Sequence, residues 1–328
     1  MKTTLLDSCR LLGLAAVLAV ASCSTHPCCR TSIDLPCASR FDERHFKGRS
    51  GYDYPVYRTK SHRGPPILVL HELNGLSAAP LDFCLELERN GWTAYAPALF
   101  GKYGDDDMFA ALKGLKKDSR WHLTDPHSSG PVLDDVAAMV AWISRQHGGR
   151  RVVVMGNCLS GGFPLALLGR ADVRAAILCQ PAMPFPTSPA NTLLEIQSVD
   201  SKRLMALPDE MVEKTFAAMK RDPSKRLIGF HYREDWIAMF EKFEWLHQEL
   251  VRRGMGEKFK PVVMVPADRP CRQEDWWQVA YTDARRHLKG PHNTVTASDN
   301  ATDRRHMRDI LIRWLEGLRA CPTNSCSH

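Results

Sequence analysis

The chain has 328 residues, enough to bury one substantial core, and its 44% hydrophobic and 25% charged residues are ordinary for a globular protein. The formal charge of +7 is spread along the chain, with no basic stripe interleaved with aromatics, which argues against a nucleic-acid partner. No spacing among the eleven cysteines and thirteen histidines matches a zinc site, so neither a structural metal nor a cofactor is expected.

At the N-terminus, Lys2 and Arg10 flank a short charged region, and Leu11 to Ala21 is apolar but too short to remain as a membrane-spanning helix. The run ends in Val20-Ala21-Ser22-Cys23, which resembles a bacterial lipoprotein signal. That resemblance implies a signal peptide over 1–22 and a lipidated mature N-terminus at Cys23. An ordinary secretory signal with a coincidental cysteine is the alternative. Ser24, rather than Asp, after Cys23 implies outer-membrane sorting, so the expected location is the bacterial cell envelope, lipid-anchored and facing the periplasm. Residues 23–46 are rich in Cys, Pro, Ser and charge without periodicity and read as a flexible tether. The folded domain is expected over 47–320, with a tail at 321–328. Cys28, Cys29, Cys37, Cys321 and Cys326 lie in these terminal segments, where disulfides are possible but their connectivity is not legible.

From residue 54 onward, strand-like and helix-like segments alternate, which predicts an α/β fold with a mostly parallel sheet covered by helices on both faces. Val56 to Arg58 reads as an edge strand, Pro66 to His71 as a buried strand, and Ser77 to Arg89 as a helix stopped by Asn90-Gly91. Trp92 to Pro97 is the next strand. Residues 102–128 form a long charged connection around a short segment at Phe109 to Gly114. Val132, Leu133, Val136, Met139, Val140 and Ile143 recur at helical spacing. Val173 to Cys179 is a strand, and Cys84 and Cys179 fall in apolar segments and should be buried. Residues 182–224 break the alternation with prolines and a helical stretch from Asp209 to Lys220, which predicts an inserted helical flap. Arg226 to His231 resumes the sheet, Glu241 to Arg253 is a helix, and Pro261 to Val265 reads as the last clear strand. Asp275 to Leu288 reads as a helix, and Met307, Ile310, Leu311, Trp314, Leu315 and Leu318 mark an amphipathic terminal helix.

Between two of these strands lies the stretch that carries chemistry. The β-branched run Arg151 to Met155 leads into Gly156-Asn157-Cys158-Leu159-Ser160-Gly161-Gly162, with a helix expected from Phe163. Strand, tight turn and helix form a nucleophile elbow, in which small residues around the apex let strand and helix pass closely. Gly156, Ser160 and Gly161 centre the turn on Cys158. Ser160 is the alternative nucleophile, and an inert packed cysteine is the ordinary role of a buried thiol. A cysteine nucleophile needs a base and a carboxylate to orient that base. Asp235 follows a strand where such an acid belongs, with Glu234 as the adjacent alternative and a turn or cap role also open. His292, in the loop before the terminal helix, is the expected base, with His287 as runner-up.

With these residues in place, the chain resembles the dienelactone hydrolase family of α/β-hydrolases over roughly residues 54 to 318. The resemblance rests on Leu70-His71-Glu72-Leu73-Asn74-Gly75-Leu76, Gly91 to Leu99, the elbow at Cys158 and Arg233-Glu234-Asp235. It implies a Cys158, His292 and Asp235 triad, with Glu72 as the carboxylate that approaches the thiol and helps deliver thiolate. It also implies an oxyanion hole from the backbone N–H groups of Leu73 and Leu159. The chain departs from the compact family core in the 182–224 flap and in a long 266–290 connection, and the arginines that hold the substrate carboxylate in the best-known members have no match. The expected activity is hydrolysis of an ester, lactone or thioester of small size, without cofactor. A serine esterase using Ser160 and a non-catalytic envelope-binding lipoprotein on the same fold are the alternatives.

Overall fold

In the computed structural model the described residues are 38–61, 63–101, 108–185, 205–233, 235, 238–266, 275–282 and 301–320. Among the described residues, nine strands form one sheet: β1 Phe41–Lys47, β2 Asp53–Thr59, β3 Pro66–Leu70, β4 Thr93–Pro97, β5 Val152–Asn157, β6 Val173–Cys179, β7 Arg226–Tyr232, β8 Val262–Pro266 and β9 Gln278–Thr282. Their spatial order is β1-β2-β4-β3-β5-β6-β7-β8-β9. The pairs β1–β2 and β2–β4 are antiparallel, and every pair from β4 to β9 is parallel.

The helices of the described residues are α1 Ala78–Arg89, α2 Met108–Lys117, α3 Val132–Gln146, α4 Phe163–Leu168, α5 Asp209–Arg221, α6 Glu241–Arg252 and α7 Ala301–Ala320. Successive side chains of a strand point to opposite faces, so each buried strand feeds two cores. In β3, Leu68 and Leu70 join a cluster with α3, α4, α5 and α6, while Ile67 and Val69 join α1 and α7 on the other face. In β5, Val152 and Val154 go one way, and Val153 and Met155 the other. These parallel strands therefore read as unbroken apolar runs rather than as alternating ones.

Three sequence expectations are corrected. Sheet structure begins at Phe41, inside the stretch read as tether, because β1 pairs along its whole length with β2. The outermost strand is consequently β1, and the Val56 to Arg58 strand lies one place in, between β1 and β4. Beyond β8, Gln278–Thr282 is a ninth strand rather than part of a helix. Val279, Ala280 and Tyr281 pair in register with Val263, Met264 and Val265, and the β-prone Val279 and Tyr281 have a partner edge to extend. The remaining strands and helices lie where the periodicity put them. The flap is described only as far as Phe185 and from Met205 onward, with its helix at α5.

The chain runs from β3 to β4 on one side and returns to β5 on the other, so the sheet has a topological switch between β3 and β5. Open α/β sheets bind ligands beyond the carboxyl ends of the strands at such a switch. The residues after β3, β5, β6 and β7 are the ones gathered there.

Candidate active site

The elbow exists as the spacing requires. Cys158 follows β5 with φ +50°, a left-handed conformation that costs a non-glycine residue about 1–3 kcal/mol unless its surroundings enforce it. They do enforce it. Its carbonyl accepts hydrogen bonds from Gly161 N at 2.9 Å and Ala182 N at 2.9 Å. A Cβ on Gly156 would lie 2.1 Å from Ser160 O, and one on Gly161 would lie 2.6 Å from Pro181 Cα. Glycine is therefore required at both places by close backbone approach. Cys158 itself is 3% exposed.

Ser160, the alternative nucleophile, is fully buried within this turn. Its hydroxyl accepts from Asn157 N at 3.1 Å and shares its proton between His71 O at 3.0 Å and Asn157 O at 3.1 Å. The Asn157 side chain donates to Leu70 O at 2.8 Å. Two side chains of the elbow thus clamp the end of β3, and this fixes the His71-Glu72-Leu73 loop beside the turn.

His71 completes that loop from inside. Its Nδ1–H donates to Glu72 O at 2.7 Å, and its Nε2 accepts from Leu99 N at 2.9 Å, which requires the neutral tautomer. Burial pushes its pKa down to about 4, against a smaller upward pull from the bond to Glu72. Glu72 follows, 1% exposed. Its charge reaches Cys179 at the end of β6, where burial first and Glu72 second push the thiol well up and keep it neutral.

Asp235 lies just beyond β7 and is 6% exposed. Its N–H donates to Tyr232 O at 3.0 Å, its Oδ1 accepts from Ala238 N at 3.1 Å, and its Oδ2 accepts from Gln180 Nε2 at 2.8 Å. The turn role and a site role therefore coexist in one carboxylate. Gln180 follows β6 with φ +46°, and its own N–H is held by Phe230 O at 2.9 Å. The ammonium of Lys242, on α6, is 2% exposed, donates to Met183 O at 2.5 Å, and is influenced electrostatically by both Asp235 and Cys158.

The fold therefore gathers Glu72, Leu73, Cys158, Leu159 and Asp235 at one end of the sheet. Gln180 and Lys242 join them without having been read from the sequence. Gln180 carried no signal beyond its place after a strand. Lys242 did carry one, since it stands at i−4 and i−8 from Leu246 and Leu250, on the apolar stripe of an amphipathic helix. His292, His287, Glu234 and Cys23 lie outside the described residues. Among the described residues, no group of three or more His, Cys, Asp or Glu side chains is placed to hold a metal, and no helix is long and apolar enough to cross a membrane.

Comparison with known proteins agrees with this architecture. A Salmonella typhi protein named "putative carboxymethylenebutenolidase" is 31% identical over 116 residues, which cover 34% of this chain and 42% of that protein. An Escherichia coli K12 protein of the same name is 30% identical over 116 residues, again 34% of this chain and 41% of that protein. The matched stretch thus spans less than half the length of these relatives. Among solved structures, a "putative dienelactone hydrolase" from Klebsiella pneumoniae superposes with a TM-score of 0.51 at 18% identity, covering 84% of this chain and 98% of that one. A carboxyl esterase from Bacillus coagulans gives 0.52 at 12% identity, covering 85% and 98%. These two likenesses concern the fold. The model of the dienelactone hydrolase family matches residues 53–217, half of the chain and the part that carries the β3 loop and the elbow, and the chain belongs to that family.

Proposed function

We propose that this protein is a carboxylic ester hydrolase that cleaves a small ester, lactone or thioester through Cys158. The observation that carries the reading is the cysteine at a strained, glycine-enforced apex after the central strand, with the buried carboxylates of Glu72 and Asp235 following β3 and β7 at the same end of the sheet. In this reading Asp235 orients His292, and His292 takes the thiol proton, with Glu72 assisting. The Cys158 thiolate attacks the substrate carbonyl, and the N–H groups of Leu73 and Leu159 hold the oxyanion. Collapse of the tetrahedral species expels the alcohol or thiol, which receives the proton from His292. A water deprotonated by His292 then attacks the acyl-thioester and restores Cys158. The lactone in the relatives' name falls within this substrate class.

The serine alternative is weakened by the three hydrogen-bond partners of Ser160, which assign its hydroxyl to the backbone of the turn. The experiment compares the purified full chain with Cys158→Ala and Ser160→Ala on short aryl esters. Cys158→Ala is expected to lose about 10³-fold or more in kcat. Ser160→Ala is expected to keep most of its turnover while losing about 1–3 kcal/mol of stability in urea, since it leaves buried partners unsatisfied. Full activity in Cys158→Ala would rule the thiol mechanism out.

We further propose that Cys23 carries a lipid that anchors the protein on the periplasmic side of the cell envelope. The reading is supported by the apolar run that ends in Val20-Ala21-Ser22-Cys23. Incorporation of radiolabelled palmitate is expected in the wild type and absent in Cys23→Ala; equal incorporation in both would contradict it.

A further inference from the structure

The sequence scatters its charges, and the fold sorts them. The strands from β4 across to β9 run parallel, so their first residues meet at the end of the sheet opposite Cys158. The register sets Pro66 level with Thr93, Ile67 with Val153, Val152 with Val173 and Ala175 with Arg226. β2 runs against β4, so its last residue, Thr59, reaches the same end and pairs there with Phe41, the first residue of β1. Cations crowd these strand ends. Lys60 follows β2, Arg63 precedes β3, Arg150 and Arg151 precede β5, and Arg174 and Arg226 stand at the starts of β6 and β7. The helices run back to this end, and α1, α3 and α5 bring Arg89, Arg145 and Arg221 there in their last turns.

Helix C-termini attract cations as a rule, because the carbonyls there form the negative pole of the helix. That accounts for Arg89, Arg145 and Arg221, but Lys60 and Arg63 lie between two strands, where no helix ends. Three carboxylates at this end each hold an arginine already: Asp222 lies 2.6 Å from Arg151, Asp172 lies 2.7 Å from Arg170, and Glu88 lies 3.8 Å from Arg40. Lys60, Arg63, Arg89, Arg145, Arg150 and Arg221 are exposed and form no ion pair among the described residues. Burial first, and then the charges of Arg151 and Arg226, push the pKa of Arg174 down, as a field of one sign requires. The end that holds Cys158 carries the opposite sign at its helix starts, in Asp134, Asp209, Glu210, Glu241 and Glu244.

We propose that the strand-start end of the molecule is a docking surface for an anionic phospholipid membrane. Two observations select a membrane among polyanions. The chain enters the fold at this end, and Cys23 lies 18 positions before Phe41, the first residue of β1. At no more than about 3.6 Å per residue, a lipid on Cys23 keeps this end within about 65 Å of the bilayer. Nucleic acid, by contrast, asks for aromatic side chains on which bases stack, and Val251 is the one exposed large hydrophobic side chain among the described residues. Lysine and arginine near an anionic bilayer are each drawn to it without any specific pocket. The choice of a membrane rests on the reading of Cys23 as lipidated, whereas the basic end itself does not. Docked in this way, the carboxyl ends of the strands, with Cys158, face away from the bilayer.

The test is cosedimentation of the full chain with vesicles of phosphatidylcholine alone and of phosphatidylcholine with phosphatidylglycerol. The wild type is compared with a triple variant, Arg89→Gln, Arg150→Gln and Arg221→Gln, and with the corresponding Arg→Lys triple. A lipid anchor binds both vesicle types, so the excess on anionic vesicles reports the basic end. The glutamine triple is expected to lose about 10²-fold of that excess, at about fivefold per charge, and the lysine triple to recover it to within about threefold. Wild type and glutamine triple that partition alike overturn the proposal. Wild type that binds both vesicle types equally overturns the basic end and leaves the anchor standing. A short DNA duplex that strips the wild type from anionic vesicles at equal phosphate assigns the basic end to nucleic acid and overturns the membrane. One measurement needs no substitution: in 1 M salt, where the screening length is about 3 Å, the wild-type excess is expected to vanish, and an excess that survives overturns electrostatic docking. Hydrogen exchange on the anionic vesicles is expected to slow around Lys60, Arg150 and Arg221; slowing at the loops after β5 and β7 instead overturns the orientation.

Discussion

His71 is a structural residue beside the candidate site. It precedes Glu72, after a buried strand, and both ring nitrogens are engaged by the backbone of Glu72 and Leu99. This locks it neutral and sets a pH dependence. Its folded pKa, about 4, lies below the unfolded value of 6.5, so between these values the unfolded chain binds the additional proton. Stability from this group is complete above about pH 6.5 and is lost as pH falls toward 4, by about 3 kcal/mol. Urea unfolding at pH 7 and pH 4.5 is expected to show that loss in the wild type and a shallower one in His71→Gln; identical slopes would contradict it. At this scale the sequence disclosed Cys158, Glu72 and Asp235, because each is next to a strand end with local signals. It hid Gln180, which reaches Asp235 across 55 positions of chain, and it hid the place of Lys242, whose hydrogen-bond partner Met183 is equally remote.

Among the elements, legibility followed pairing. β3, β5 and β6 are apolar on both faces, and their identity was carried by composition alone. The two outer strands were not legible, for one physical reason. β1 is polar along its exposed middle, Asp42 to His45, and β9 is five residues long, so each owes its conformation to the neighbour it pairs with. The hairpin of β1 and β2 is also tied to α3 by Asp135, which is fully buried. Asp135 accepts from Ser50 N at 2.9 Å, Ser50 Oγ at 2.5 Å and Tyr54 Oη at 2.7 Å, while Arg120 donates to that tyrosine at 2.7 Å. Removing the carboxylate takes the acceptor from three donors at once, Ser50 N, Ser50 Oγ and Tyr54 Oη. Asp135→Ala is expected to cost about 3 kcal/mol or more. Hydrogen exchange is expected to accelerate first in β1 and β2; loss of protection spread evenly over the sheet would contradict a role confined to this junction.

At the scale of the molecule, the nine strands of the described residues, with helices on both faces, place the candidate site at the switch between β3 and β5, where a core packs on each face of the sheet. The fold class was legible throughout because alternating elements allow few other arrangements. The base was named from chain order alone, and His292 enters the account through the chemistry that Cys158 needs rather than through a contact. The most direct test of the central claim is therefore to trap the acyl-enzyme. The full chain is mixed with a short aryl acetate and quenched in acid within the first turnovers, and the peptides are mapped by mass. The account predicts one acetyl group on the peptide carrying Cys158, localised by fragmentation to that sulfur and absent in Cys158→Ala. An acetyl group on Ser160, or undiminished turnover by Cys158→Ala, would contradict it.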